Sequence, residues 1–229
     1  MITQIYTAQT PGEAVALAEL GVDHVGVTVS ERGLPGEVGM SLGQEIVVAL
    51  EATRARCVAL TVETDPEEIR DFLVALRPDI LHLCGDTTLF GPDDVLDLRQ
   101  WIVSNGVKSE VMQAIPMIGP GSVDLAIEFA PHVDWLILDS VTDAVDGIGA
   151  AGVTHDWNLS RQIVDAVGVP VILAGGLGPT NVADAIRIVR PAGVDSLTLT
   201  NHYQDDGTFT KDLVAVGLFV ESARTAAEI

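Results

Sequence analysis

The sequence has 229 residues, a length that suits one large domain, and 48% of them are apolar, enough to bury a sizeable core. Its 33 acidic residues outnumber its 12 basic residues, which gives a formal net charge of −21. This excess disfavours nucleic acid and anionic membrane surfaces as partners, because both are bound through Lys and Arg. We interpret the acidic residues as a solvated shell that keeps the protein soluble.

The sequence predicts a cytoplasmic protein without disulfide bonds. Cys57 and Cys84 are the two cysteines, too few for a disulfide framework in a chain of this length. The first residues contain neither the basic stretch nor the apolar stretch of a signal peptide. The apolar runs are of strand length, far below the roughly 20 residues that a membrane helix needs.

Along the chain, short β-rich apolar runs alternate with amphipathic stretches, the pattern of repeated βα units around a parallel sheet. Asp65 predicts a helix start, as do Pro92 and Pro179, and Gly21 and Gly168 predict helix ends. The predicted strands cover residues 3–6, 24–29, 57–62, 80–84, 110–115, 135–139, 169–174 and 195–200.

Eight units without an intervening linker predict one domain over residues 1–229. The count favours a single α/β domain of the (β/α)8 TIM-barrel class over an open, doubly wound sheet. In a barrel, the working residues lie at the carboxyl ends of the strands. The residues at those ends are therefore the candidates for function.

Four segments resemble the phosphoribosylanthranilate isomerase family in their order and spacing. Two weaker matches support them: LCGD at 83–86 stands where the family has LHGD, and KD at 211–212 matches its late KD. The four segments are LDS at 138–140, GVTHDW at 152–157, VILAGGLGPTNV at 171–182 and RPAGVD at 190–195.

The resemblance implies an enzyme that performs an Amadori rearrangement on a phosphorylated aminosugar, in tryptophan biosynthesis, with no organic cofactor and no metal. It assigns Asp139 as the general acid that protonates the ring oxygen. Partial burial at the end of an apolar strand would raise the pKa of this carboxyl. Gly175 and Gly176 are predicted to bind phosphate, since glycines leave backbone amides open to an anion.

The chain departs from the family at several functional positions. Tyr6 stands in place of the basic Cys, and Gln4 in place of the Lys before it. No Arg occupies residues 34–36, where the family's Arg would meet the anthranilate carboxylate, although Arg32 is near in sequence. The lysine of the family's GTGKTFDW is Val153.

The end of the eighth predicted strand also differs, since it lacks the glycine of the family's SSGxE. Thr198 and Thr200 keep hydroxyl groups there and are candidate phosphate ligands. Because a phenol is a poor base at pH 7, we predict that Tyr6 stays neutral and binds ligand. Gln4, on the same inward face, is a further candidate ligand residue.

His82 and Cys84 alternate along the fourth strand, so both are predicted to face the barrel interior and the substrate. With Asp139 they could form a zinc site, but ordinary buried polar residues are the favoured interpretation. Cys84 could also supply the thiol that Tyr6 lacks. We expect the first and fourth strands to lie too far apart for this.

Two hypotheses follow. The first is an isomerase on this family's scaffold that acts on a phosphorylated (amino)sugar with Asp139 as the general acid, and its substrate is either the family's own or a different one. The second is a non-catalytic barrel that binds a phosphorylated metabolite, since fold does not fix function. The sequence leaves open whether the chain is a monomer or a homodimer.

Overall fold

The computed structural model describes residues 1–141, 147–149 and 152–228 and shows a closed barrel of eight parallel strands. Each strand pairs with the next, and β1 closes the barrel by pairing with β8. This confirms the predicted (β/α)8 barrel over the open sheet. The strands are β1 (Ile2–Ile5), β2 (His24–Thr28), β3 (Arg56–Thr61), β4 (Ile80–Leu83), β5 (Glu110–Pro116), β6 (Trp135–Asp139), β7 (Val171–Leu173) and β8 (Gly193–Ser196).

Helices cover the outside of the barrel, and their starts follow the sequence signals. The Asp65 side chain accepts a hydrogen bond from the Glu67 amide at 2.7 Å, and Asp156 caps the sixth helix in the same way. None of the described helices is long and apolar enough to cross a membrane. The helices are α1 (Pro11–Glu19), α2 (Met40–Leu50), α3 (Pro66–Leu76), α4 (Pro92–Ser104), α5 (Gly121–Phe129), α6 (Trp157–Ala166), α7 (Val182–Val189) and α8 (Leu213–Ala227).

The predicted strand over residues 195–200 is wrong in its second half. β8 ends at Ser196, and Thr198–Thr200 forms a 3-10 turn in which the Thr200 amide bonds the Leu197 carbonyl. A hairpin that the sequence analysis did not predict follows. Its antiparallel strands are β9 (Asn201–Tyr203) and β10 (Phe209–Lys211).

The helix predicted to begin near Pro179 begins three residues later, at Val182. The side chain of Asn181 explains the delay. Its Oδ1 accepts a hydrogen bond from the Gly178 amide and its Nδ2 donates to the Gly176 carbonyl. These bonds hold residues 176–181 as a turn, so proline at 179 lies in that turn and not in the first helical turn.

Two apolar layers hold the barrel together, one between the strands and the helices and one inside the barrel. Inside, Val58, Ile80, Met112 and Ile172 are buried completely. This packing fills the part of the barrel away from the carboxyl ends of the strands, so the interior is a core and not a channel. Inside the barrel, the described residues leave space for a ligand near the carboxyl ends of the strands.

Candidate active site

A cavity opens at the carboxyl ends of the strands, where the sequence analysis placed the working residues. Its polar lining comes from five strands: Tyr6 follows β1, Thr28 ends β2, Cys84 follows β4, Asp139 ends β6 and Asp195 lies on β8. His82 on β4 lines the same cavity. The structure therefore brings together residues that are up to 189 positions apart in the chain.

Asp139 lies half-buried at this cavity. Its Oδ1 accepts a hydrogen bond from the Ser140 amide at 2.7 Å. Burial raises the pKa of the Asp139 carboxyl to about 7, against the opposing effect of that amide. A carboxyl group with a pKa near neutrality carries its proton for much of the time at pH 7, which suits a general acid.

Asp195 is a second carboxyl group in the cavity, and the sequence analysis did not select it. It is 6% exposed, and its Oδ1 accepts no hydrogen bond from the described residues. Burial and the neighbouring Asp139 raise the pKa of Asp195 to about 8, while Gln4 and Lys211 act in the opposite direction. The signal that could have found it was an acidic residue inside a buried strand, which is rare without a partner or a function.

Tyr6, His82 and Cys84 form a chain of contacts across the barrel interior. The Tyr6 Oη lies 2.8 Å from His82 Nδ1, and the Cys84 Sγ lies 3.0 Å from His82 Nε2. We expected the first and fourth strands to be too far apart to cooperate. That expectation is wrong, because the long side chains of both strands point to the barrel axis and meet there.

The side chains of Tyr6, His82 and Cys84 are all neutral at pH 7. Burial raises the pKa of the Tyr6 phenol and of the Cys84 thiol, and burial lowers the pKa of His82 to about 3. No set of three or more His, Cys, Asp or Glu residues in the described ranges is placed to hold a metal ion. The contacts of His82 with its two neighbours favour a buried polar network over a zinc site.

Gly26 on β2 leaves the space that the Tyr6 ring occupies. A Cβ atom at position 26 would lie 2.3 Å from the ring carbon Cδ1 of Tyr6, far inside van der Waals contact. A tyrosine can therefore follow β1 because its neighbouring strand carries a glycine. The ring then fills the centre of the cavity floor, with 5% of the residue exposed.

The predicted phosphate-binding pair, Gly175 and Gly176, follows β7 with φ angles of +82° and +60°. A Cβ on Gly175 would lie 2.6 Å from the Ser140 Oγ, and one on Gly176 would lie 2.7 Å from the Val153 carbonyl carbon. The amides of both glycines and of Leu177 donate no hydrogen bond within the described part of the chain. Successive free amides of this kind form an anion-binding concavity.

The other predicted ligand residues separate into two groups. Thr198 lines the same recess as the glycine pair. Thr200 is buried, and its hydroxyl bonds the Leu197 carbonyl at 3.0 Å. Gln4 is also buried, with its Oε1 3.1 Å from His24 Nδ1, and it does not line the cavity. Thr200 and Gln4 are therefore placed to support the site and not to contact a ligand.

The loop between β2 and α2, residues 29–39, presents no cation to the cavity. Leu34 and Pro35 line the cavity at the positions where the family motif would place its Arg. The Arg32 guanidinium instead donates two hydrogen bonds to Glu63, at 2.9 and 2.5 Å. Val153, in place of the family's lysine, is 58% exposed.

A closed parallel barrel with two carboxyl groups and a glycine-lined anion cradle at its carboxyl end has the architecture of a (β/α)8-barrel enzyme. The family model described as N-(5′-phosphoribosyl)anthranilate isomerase matches residues 41–197. The chain belongs to this family.

Curated relatives cover nearly the whole chain. An N-(5′-phosphoribosyl)anthranilate isomerase of Haloferax volcanii is 35% identical over 217 residues, which are 93% of this chain and 89% of the relative. A second such isomerase, from Methanosarcina mazei, is 34% identical over 213 residues, with the same coverage.

Solved structures agree with the fold. A phosphoribosylanthranilate isomerase from Thermotoga maritima superposes with a TM-score of 0.77 at 23% identity, covering 98% of this chain and 100% of that one. The isomerase from Pyrococcus furiosus gives a TM-score of 0.76 at 20% identity, with 98% and 99% covered. A further isomerase structure, with a TM-score of 0.76 and 22% identity over 98% of this chain and all of that one, is a complex with reduced 1-(o-carboxyphenylamino)-1-deoxyribulose 5-phosphate.

Proposed function

We propose that this chain isomerises a phosphoribosylated arylamine to the corresponding 1-amino-1-deoxyribulose 5-phosphate. The first substrate to test is N-(5′-phosphoribosyl)anthranilate, the compound that appears in the names of the related isomerases. The observation that carries the proposal is Asp139, a half-buried carboxyl with a pKa raised to about 7 that lies beside the glycine-lined recess. Family membership disfavours the alternative of a non-catalytic binding barrel.

In the proposed reaction, protonated Asp139 donates its proton to the furanose ring oxygen. The bond between C1 and that oxygen breaks, and the nitrogen lone pair forms a protonated imine. A base then removes the proton from C2, and the electron pair moves to give an enol. Tautomerisation of the enol gives the 2-ketone, so the reaction needs no external oxidant or reductant.

The base in this proposal is Asp195, because the neutral Tyr6 and Cys84 are poor bases at pH 7. The Asp195 and Asp139 carboxyls line one cavity, and each raises the cost of ionising the other. One shared proton gives the pair one acid and one base. Because the pKa of Asp195 is the higher of the two, the proton lies more often on Asp195, and the reactive form, with the proton on Asp139 and Asp195 ionised, is the minor form of the pair. The proton taken from C2 replaces the proton that Asp139 gave up.

The substrate's phosphate would bind the free amides of Gly175, Gly176 and Leu177, with the Thr198 hydroxyl at the edge of the same recess. Backbone amides suit a dianion in a chain with so few cations. In this pose the phosphate lies beside β7 and β8, the common phosphate position in these barrels. The sugar ring would then lie between the recess and the two carboxyl groups.

The test is turnover of N-(5′-phosphoribosyl)anthranilate, followed by the loss of its fluorescence. We expect Asp139→Asn to lower kcat by at least about 100-fold, the usual contribution of a general acid. Asp184→Asn is the matched control, because Asp184 lies exposed on α7 and pairs with Arg187. Full turnover by Asp139→Asn would remove Asp139 as the acid.

A further inference from the structure

The carboxyl end of the barrel is almost without positive charge. Ten of the chain's 12 basic residues lie on helices, between a helix end and the following strand or, for Arg56, at the first residue of β3, which is the opposite face or the flank of the barrel. Arg32 and Lys211 are the remaining two. The ten are Arg54, Arg56, Arg70, Arg77, Arg99, Lys108, Arg161, Arg187, Arg190 and Arg224.

Neither of the two remaining cations faces the central cavity. The Arg32 side chain is held by Glu63 through two hydrogen bonds, outside the cavity lining. The Lys211 ammonium contacts the Tyr6 carbonyl, the Leu197 carbonyl and the Asn201 Oδ1, so three acceptors take its three protons. Residues 142–146 and 150–151 contain no Lys, Arg or His in the sequence.

The cavity wall is instead apolar around two acidic groups. Leu34, Pro35, Leu60, Val62 and Ile148 line it and come from three different βα loops or strand ends. The polar side chains that face this wall are two carboxyls, the Thr28 hydroxyl and the neutral network of Tyr6, His82 and Cys84. An anionic group placed here would lose its hydration, gain no counter-ion and face the negative charge of the carboxyl pair.

We propose that the nitrogen substituent of the substrate is an uncharged apolar group, such as an unsubstituted aryl ring, and that a carboxylate on that ring is not recognised. This inference rests on the proposed function, since it concerns the part of a phosphoribosylated amine that lies away from the phosphate. The ring packs against the wall of Leu34, Pro35 and Ile148. The amine and sugar hydroxyls are the donors available to Asp195, whose Oδ1 accepts no hydrogen bond from any residue that the structure describes.

The test compares two stable ligands that differ by one carboxylate. One is reduced 1-(o-carboxyphenylamino)-1-deoxyribulose 5-phosphate, and the other is its phenylamino counterpart without the carboxylate. We expect calorimetric titration of the whole chain at pH 7.5 to show that the phenylamino ligand binds at least 10-fold more tightly. Equal or tighter binding of the carboxyphenyl ligand would overturn the inference.

Turnover separates this inference from the proposed function. If both N-(5′-phosphoribosyl)aniline and N-(5′-phosphoribosyl)anthranilate are isomerised, the proposed function stands, and the order of the two affinities alone decides the inference. If neither ligand binds at millimolar concentration, both proposals fail. If the ligands bind in the expected order without turnover of either substrate, only the catalytic proposal fails.

Adding a cation to the wall provides a second measurement. We expect Leu34→Arg, or Pro35→Arg if the first variant does not fold, to improve binding of the carboxyphenyl ligand relative to the phenylamino ligand by at least 5-fold. Val103→Arg adds the same charge at a 77% exposed position on α4 and should leave the ratio unchanged. An unchanged ratio in a folded wall variant would place the nitrogen substituent elsewhere and overturn the inference.

Discussion

At the scale of single residues, Tyr6 shows how a substitution depends on its surroundings. Its ring fits because Gly26 leaves space, and its hydroxyl contacts a neutral histidine that in turn contacts Cys84. Burial raises the pKa of the phenol, so the surroundings disfavour a phenolate. Tyr6 is therefore part of the cavity floor and not a replacement for a basic thiol.

We predict that Tyr6→Cys does not by itself restore the reaction of the family. The smaller side chain would leave a cavity, at a cost of about 2–4 kcal/mol in stability, and would lose the contact with His82. Turnover of N-(5′-phosphoribosyl)anthranilate should rise less than about 2-fold in kcat/KM, a change well under 1 kcal/mol. In the Tyr203→Phe variant, where Tyr6 is the remaining tyrosine, an ultraviolet titration showing ionisation below about pH 8 would contradict this prediction.

Asp195 allows a prediction about stability and pH. Its folded-state pKa of about 8 lies above the ordinary value of 3.8, so the folded state holds a proton that the unfolded state releases. The stabilisation from this proton is fully present below about pH 4 and is lost as pH rises through about 8. The native protein at pH 8 and above thus carries the cost of a buried carboxylate.

We therefore expect Asp195→Asn, which removes this titration, to raise the Tm at pH 8.5 by at least about 4 °C and to change it little at pH 4. Thermal unfolding across this pH range measures the difference. Asp206→Asn, on the exposed turn of the hairpin, is the comparison variant. A constant offset between wild type and Asp195→Asn at all pH values would show that Asp195 does not titrate in this range.

At the scale of elements, the residues after β8 connect the closed barrel to its last helix. The 3-10 turn buries Thr200, and the hairpin of β9 and β10 leads the chain to α8. The Asp212 carboxylate caps that helix by accepting hydrogen bonds from the amides of Val214 and Ala215, both at 3.0 Å. In the KD pair at 211–212, Lys211 is therefore buried and Asp212 is the N-cap of α8.

Loss of this cap should be measurable. We expect Asp212→Ala to reduce the free energy of unfolding by about 1 kcal/mol, which corresponds to a fall of about 2–4 °C in Tm. Asp205→Ala removes a neighbouring exposed charge in the hairpin and should change Tm by much less. If both variants unfold at the same temperature, the capping interaction is not what Asp212 contributes.

At the scale of the whole molecule, the charge of −21 is spread over the helical exterior and destabilises the compact state through self-repulsion. Salt shortens the range of that repulsion to about 3 Å at 1 M. The few ion pairs that salt would weaken are all at least partly exposed, that of Arg187 with Asp184 the most, and such pairs contribute little. The repulsion should therefore dominate the response to salt.

We expect the Tm to rise by at least about 5 °C between 0.05 and 1 M NaCl, a shift of a few kcal/mol. A variant with four exposed acids neutralised on four helices, Glu45→Gln, Asp97→Asn, Glu128→Gln and Glu221→Gln, should show a higher Tm at low salt and a smaller rise. A falling Tm, or an identical rise in both proteins, would contradict this account. Sedimentation in the same buffers would decide between monomer and homodimer.

The sequence by itself determined the number and order of the βα units, the helix cap at Asp65, the family, and the position of Asp139 at a strand end. These follow from local signals: the period of the apolar residues, turn chemistry and motif spacing. The tertiary structure alone decided that Asp195 joins Asp139 and that Tyr6 meets His82 and Cys84. Closure of the barrel places strands distant in sequence within one side-chain length of each other, and burial then sets which of their groups hold protons.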